Sequence, residues 1–325
     1  MKIKGFARQY EGGGYYRMRM PLDELGKHGH ETVCDSARSN IYAHGSDIVV
    51  GQIIGARDHP VEIHRWWRQL RKHSKLVYEL DDNPFEIERH NPAFAAYGPR
   101  HAQDSIAHCI EIADLVTAST EPLADAMRKI NPNVVVLKNR IDEHMLDIER
   151  PRRDKLTIGW AGGASHYEDI KVCAHGLRKT LDHHPDVEAH FIGPDFTPLI
   201  RRPVRSTPWS QSTTDYYKLI DFDIGLAPLL PSIFTRSKSH IKALEYAALG
   251  IPVIASDVEP YRDFVIDGVT GWLVRRDHEW ALRLRELIND DAMREEMGAK
   301  AKAVAAEWTI QKGWQEWEAA YQSVL

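Results

Sequence analysis

Residues 238–274 read KSHIKALEYAALGIPVIASDVEPYRDFVIDGVTGWLV. The stretch predicts helix, strand, helix and strand in close succession. Ile241, Leu244, Ala247 and Ala248 recur at the spacing of a helix packed on a sheet, so a helix is expected over Lys238–Gly250. Gly250 is placed to end it. Pro252–Ser256 (PVIAS) is a short apolar run suited to a strand covered on both faces, and Gly271–Val274 makes the next strand. Gly268 and Gly271 suit turn positions. Glu245 stands as a carboxylate on a helix rich in small residues.

The same alternation extends outward and argues for an α/β chain with largely parallel sheets. Strands are expected at Met1–Phe6, Asp47–Gln52, Lys75–Leu80, Ala113–Ala118 and Val134–Leu137, with helices at Val61–Arg71 and Pro122–Ile130. A second series is expected at Leu156–Trp160, Val187–Ile192 and Asp223–Leu229, with a helix over Tyr167–Leu181. Asp147–Asp154 (DIERPRRD) is polar and broken by Pro151, which places a domain boundary there: 1–150, then 151–308. The tail 309–325 is helical, with Trp314, Trp317 and Tyr321 on one face.

Bulk properties narrow the field. At 325 residues the chain accommodates two domains, each with its own core. With 42 basic and 47 acidic residues the net charge is −5, which argues against non-specific nucleic-acid binding through overall charge. Cys34, Cys109 and Cys173 lack metal-ligand or redox spacing and fit a reducing compartment. The first residues show no signal-peptide core, and no run reaches the ~18 apolar residues of a membrane span, so a soluble cytoplasmic protein is expected.

The phrase LEYAALGIPVIAS, with Glu245 inside it, resembles the donor-nucleotide segment of retaining glycosyltransferases of the GT-B fold, family 4 (glycosyl transferases group 1). IGWAGGASHYEDI, from Ile158, is similar to a variant recurring in one branch of that family. YYRMRMPLDELGKHGHE resembles its first helix. The resemblance covers most of the chain and is strongest from Ile158 to Val274. It implies an α/β GT-B architecture: two Rossmann-like domains facing across a cleft, with a C-terminal helix crossing back to the N-terminal domain.

Site residues follow from pattern and resemblance together. Beside the carboxyl ends of parallel strands, Glu245 is placed to accept from a ribose diol; a solvent-facing carboxylate is the plain alternative. The family usually carries another glutamate eight positions earlier, where this chain has Ser237. Arg236, Lys238 and Ser239 stand where a helix start favours a diphosphate, against an ordinary capped helix. Gly162 and Gly163 let a ligand approach the backbone, and His166 is either a ligand contact or a cap. Relatives place an arginine and a lysine near this loop; here the nearest cation is Lys171.

In the first domain the loop Gly12-Gly13-Gly14 lacks a dinucleotide fingerprint and a P-loop lysine. The resemblance brings it to the transferred sugar, so Gly13, Gly14, Asp82 and Lys238 are assigned to the reaction centre. Arg17, Asp81 and Asp82 are assigned to the acceptor, with a turn or cap as the alternative for Asp82. Asp221-Phe222-Asp223 matches a metal-binding Asp-x-Asp in another glycosyltransferase fold, but it opens a strand here and is read as a cap. No metal and no cofactor are expected. His64–Lys75 mixes Arg65, Arg68, Arg71, Lys72 and Lys75 with Trp66 and Trp67; it reads as a solvated face, with peripheral contact to anionic lipid as the alternative.

The resemblance therefore implies transfer of a sugar, with retention, from a UDP- or GDP-sugar to a hydroxyl of a glycan, lipid, protein or hydroxymethylated DNA. A non-catalytic nucleotide-sugar or glycan binding protein and a GT-B sugar-nucleotide epimerase are the rival readings.

Overall fold

The computed structural model describes residues 1–9, 11–36, 45–56, 59–151, 153–210 and 212–325. The chain forms two compact units. One comprises Met1–Arg140, Ser237–Ser239 and Ile310–Leu325; the other comprises Ile141–Arg236 and His240–Thr309. The division falls at Arg140/Ile141, ten residues before the 150/151 boundary expected from the polar stretch around Pro151. Arg152, inside that stretch, lies outside the described residues.

The first unit holds a parallel six-stranded sheet in the order β2-β1-β3-β4-β5-β6. Its strands are β1 (Lys2–Ala7), β2 (Glu31–Ser36), β3 (Ile48–Gln52), β4 (Lys75–Leu80), β5 (Leu115–Ala118) and β6 (Val134–Val136). Around it run α1 (Met20–Lys27), α2 (Pro60–Leu70), α3 (Phe94–Tyr97), α4 (Arg100–Glu111) and α5 (Glu121–Arg128). The strands β3 and β5 are buried along their whole length, as expected of central strands covered on both faces. Before α1, Tyr15–Arg19 forms a π-helical turn in which Met20 N–H donates to the Tyr15 carbonyl. Pro21 follows and lacks the N–H that a continuous α-helix would use.

The second unit holds a separate parallel sheet in the order β12-β11-β10-β7-β8-β9. Its strands are β7 (Thr157–Ala161), β8 (Glu188–Ile192), β9 (Arg205–Thr207), β10 (Ile224–Ala227), β11 (Val253–Ser256) and β12 (Gly271–Val274). Its helices are α6 (Lys171–His183), α7 (Thr197–Ile200), α8 (Thr213–Leu219), α9 (Ile233–Arg236), α10 (Ile241–Ala248), α11 (Glu259–Arg262), α12 (Asp277–Asn289) and α13 (Asp291–Ala305). Trp160, Phe191, Phe196, Leu226 and Trp280 fill one core.

Gly250 ends α10 with φ of 69°, and two bonds close the turn: Gly250 N–H to Ala247 O at 2.9 Å and Ile251 N–H to Tyr246 O at 3.0 Å. That is the Schellman arrangement, which a residue bearing Cβ forms at a cost. Gly268 has φ of 73° and does sit in a turn. Gly271 closes that turn, its carbonyl accepting from Gly268 N–H at 2.8 Å, and opens β12, paired with Val253; a Cβ there would run into the Val253 carbonyl.

The final helix, α14 (Ile310–Gln322), belongs to the first unit. Trp317 and Tyr321 are buried, and Trp314 stacks on His28 at 3.8 Å. His30 meets Glu318 at 2.8 Å, and Arg140 donates to Glu316 at 2.6 Å. Gly313 leaves space on the helix for the Arg140 guanidinium.

Candidate functional site

In the second unit, the carboxyl ends of β7 and β8 and the helix α10 gather the residues singled out around Glu245. Glu245 is buried, and the Tyr216 hydroxyl of α8 donates to its Oε2 at 3.1 Å. Burial, then the Glu245 charge, pushes the Tyr216 phenol well above its ordinary value, so it remains a donor. Tyr261 is pushed the same way by burial, with the charges of Asp169 and Glu245 adding to it. A solvent-facing Glu245 is therefore not what the chain builds.

One helical turn before Glu245, Lys242 donates to the Ala161 carbonyl and lies 4.6 Å from the centre of the Trp160 ring. The Tyr246 hydroxyl accepts from Ala161 N–H at 3.0 Å. These contacts tie α10 to the first residues of the glycine loop after β7. A Cβ on Gly162 would lie 2.6 Å from the Trp160 ring and 2.7 Å from Lys242 Nζ, so only glycine fits. Gly163 faces open space, and nothing lies within 4 Å of where its Cβ would be. Gly193, after β8, has φ of 128°, and a Cβ there would overlap the Gly162 carbonyl.

His166 ends a short 3-10 turn, Ala164–His166, and its Nδ1 lies 2.8 Å from Asp169 Oδ2. Asp169 is buried and accepts the Leu230 N–H at 2.8 Å through its other oxygen. The helix expected from Tyr167 starts at Lys171 instead, because 167–170 are spent on this turn.

The expected helix start at Lys238 is corrected. Arg236 closes the short helix α9 and makes a two-pronged pair with Glu259 at 2.8 and 3.1 Å. Ser237–Ser239 is a separate connection that packs in the first unit, and α10 begins at Ile241. The Ser237 carbonyl accepts from the Thr120 hydroxyl at 2.8 Å, and Ser239 Oγ accepts from Asn139 at 2.7 Å. Lys238 Nζ donates to both Asp82 oxygens at 3.2 and 3.3 Å. Three side chains of the first unit thus hold the tripeptide out of a helix.

Asp82 and Asp81 follow β4 at its carboxyl end. The backbone of Gly13 approaches Asp81 so closely that a Cβ would strike its carboxylate. Burial and the Asp82 charge raise the Asp81 pKa, while Arg17, Lys238 and Arg8 pull against them. A Cβ on Gly14 would overlap the Gln9 carbonyl. Gln52 joins the same loop, accepting from Arg8 N–H and donating to the Gly13 carbonyl, both at 3.2 Å. Gln52, Lys242, Tyr216 and Asp169 were not reached from the sequence. Lys242 (three before Glu245) and Asp169 (three after His166) stand at spacings that a helical-face reading detects.

Arg17 has a different setting from a surface contact. Its guanidinium is buried and donates to Glu79 at 2.6 and 3.0 Å, to the Leu137 carbonyl and to Asn139 at 3.0 Å. Thr117 donates to the same Glu79 carboxylate. Asp221 and Asp223 are likewise bound inward. Asp221 meets His190 Nδ1 at 2.6 Å and takes bonds from Arg205 and Arg153; Asp223 accepts the Thr157 N–H at 2.9 Å and pairs with Arg150 at 2.7 Å. Along α2, Trp67 is fully buried and Trp66 packs edge-on to Phe6 at 5.1 Å, so the helix offers charge rather than aromatic faces to its surroundings. No helix among the described residues is long and apolar enough to cross a membrane.

Residues 240–304, spanning Glu245 and α13, match the family described as Glycosyl transferases group 1. A capsular polysaccharide biosynthesis glycosyltransferase, CapM, of Staphylococcus aureus is 34% identical over 86 residues, which is 26% of this chain and 23% of that protein. The structure of Anabaena Alr3699/HepE in complex with UDP-glucose superposes with a TM-score of 0.73, covering 100% of both chains at 15% identity. Sucrose-phosphate synthase of Thermosynechococcus elongatus gives 0.69 over 100% of this chain and 99% of that one, at 12% identity. The two Rossmann-like units are those of the GT-B glycosyltransferase fold, and residues 240–304 are a glycosyl transferases group 1 segment carried on it.

Proposed function

We propose that the chain is a family 4 glycosyltransferase that moves a sugar from a nucleoside-diphosphate sugar to an acceptor hydroxyl, with retention of anomeric configuration and without a metal or cofactor. One observation carries the reading. Glu245, inside the segment matched to Glycosyl transferases group 1, is a buried carboxylate oriented by the Tyr216 hydroxyl beside a glycine loop that tolerates no Cβ at Gly162. The UDP-glucose complex of HepE supports a uridine donor.

In this mechanism Glu245 accepts from the ribose diol, and the backbone of Gly162 and Gly163 lies along the diphosphate. Lys238, with Gly13 and Gly14, stabilises the charge that grows on the leaving diphosphate. Groups already held in place do this without reorganising during the reaction, which is how preorganised charge lowers a barrier. Ser239 and His166 line the donor, and Arg236 is a donor contact only after releasing Glu259. Asp81 and Asp82 hold the acceptor hydroxyl, and the Arg17 charge favours the ionised form of Asp81. The acceptor is a glycan, lipid, protein or modified nucleic acid; contact with an anionic membrane through 64–75 would rest on charge alone. The setting is cytoplasmic.

Removing a charged acceptor of a hydrogen bond costs about 1.5–3 kcal/mol, or roughly 10- to 150-fold in affinity. Glu245→Ala is expected to weaken UDP-sugar binding by that order, with Glu245→Gln intermediate because Tyr216 keeps a partner. Calorimetric titration reads both. Unchanged affinity in Glu245→Ala would remove the ribose role. Release of UDP with an epimerised sugar and no glycosylated product would favour the epimerase instead.

A further inference from the structure

Tyr216 does two things at once in the second unit. Its hydroxyl donates to Glu245, and its ring packs at a tilt against Trp209, with centroids 4.4 Å apart and planes 32° apart. Tyr216 is 1% exposed, whereas Trp209 keeps 40% of its surface in solvent. Trp209 is the single tryptophan among the exposed large apolar side chains of the described residues. An indole braced from one side yet open to solvent gains nothing for the core by its exposure.

The position is equally specific. Trp209 lies two residues beyond the carboxyl end of β9, the edge strand next to β8. Parallel α/β sheets take their ligands at that end. The residues on either side are bonded locally: Gly193 N–H donates to the Thr207 carbonyl at 2.8 Å, Ser212 N–H donates to Ser210 Oγ at 3.2 Å, and Ser212 Oγ caps α8 by accepting the Asp215 N–H at 3.3 Å. Trp209 is therefore one ring, that of Tyr216, away from the carboxylate assigned to the ribose.

We propose that Trp209 is the platform on which the nucleobase of the donor stacks, with Tyr216 fixing the distance between base and ribose subsites. The inference rests on the ribose assignment of Glu245. In a nucleotide the base is bonded directly to the ribose. A diol gripped at Glu245 leaves the base one sugar away, and Trp209 is the exposed ring that Tyr216 links to that carboxylate. An aromatic face stacks on any base, so Trp209 supplies affinity rather than base identity.

The test uses the intact chain and UDP as the probe. Trp209→Ala is expected to weaken UDP binding about 5- to 150-fold. Trp209→Phe should restore most of the loss, and the thermal midpoint without nucleotide should stay that of the wild type. If Trp209→Ala binds UDP within about twofold of wild type while Glu245→Ala loses affinity, the platform is refuted and the donor reading survives. If Trp209→Ala and Trp209→Phe both lose binding together with a lowered nucleotide-free midpoint, Trp209 is structural and the proposal fails. A wild type that binds none of UDP, GDP and ADP sinks both readings together.

Discussion

Replacing Arg17 by methionine isolates a buried ion pair of the first unit, Arg17 with Glu79. The guanidinium and the Glu79 carboxylate are both about 1% exposed and meet through two bonds at 2.6 and 3.0 Å. Burial works against the charge on Arg17, yet the Glu79 carboxylate carries its pKa above the ordinary value. Breaking such a pair from one side costs about 3–5 kcal/mol, because the remaining charge is buried without compensation. Arg17→Met should therefore lower the opening free energy of β1 and β4 by that amount at neutral pH, read by native-state hydrogen exchange.

The pH dependence has a definite sign. Burial already raises Glu79, and without Arg17 the chief opposing influence is gone. The folded variant then holds a proton that the unfolded chain releases near the ordinary value of 4.5. Its stability is greatest below that value and falls as pH rises toward the raised folded pKa, by about 1.4 kcal/mol per unit. The double variant Arg17→Met/Glu79→Leu should recover most of the loss, since an apolar pair of similar volume is often neutral or stabilising. Opening energies within about 0.5 kcal/mol of wild type in Arg17→Met, or a double variant worse than the single, would refute the reasoning.

Gly193→Ala forces φ of 128° on a residue with a Cβ and drives that atom onto the Gly162 carbonyl. It should cost about 1–3 kcal/mol of backbone strain and weaken donor binding through the displaced loop, checked by thermal midpoint and titration together. Asp221 is held far below the ordinary carboxylate range: burial would raise it, but bonds from His190, Arg205 and Arg153 outweigh that. Its contribution is present above 3.8 and lost as pH falls below it, so Asp221→Asn should be less stable than wild type at pH 7 and flatter on acidification. Acid unfolding followed on the β8 amides distinguishes the two.

The central strands were legible because they are buried on both faces: DIVVGQ and KLVYEL are nearly unbroken apolar runs and became β3 and β4. The edge strands β2 (ETVCDS) and β9 (RST) escaped, since each is short or mixed in polarity and carries no strong period. Glu245 was legible from its helix and phrase. The helix start was misplaced because Lys238, Ser239 and His240 are compatible with helix locally. What holds 237–239 out of it is Thr120, Asp82 and Asn139, each 100 or more residues away in the chain. Arg17 is the same lesson: Glu79, 62 residues on, decides its role, and no local pattern announces that pair.

Thermal unfolding of the intact chain with UDP-, GDP- and ADP-sugars in turn addresses the donor assignment most directly. A ligand at about 100 times its Kd stabilises by about 2.7 kcal/mol, or roughly 5–10 °C for a unit of this size. The UDP-sugars are expected to raise the midpoint by that amount, and Glu245→Ala, binding roughly 10- to 150-fold more weakly, to cut the stabilisation to about 0.3–1.4 kcal/mol at the same ligand concentration. No shift with any of the three classes would contradict a nucleotide-sugar site in the second unit.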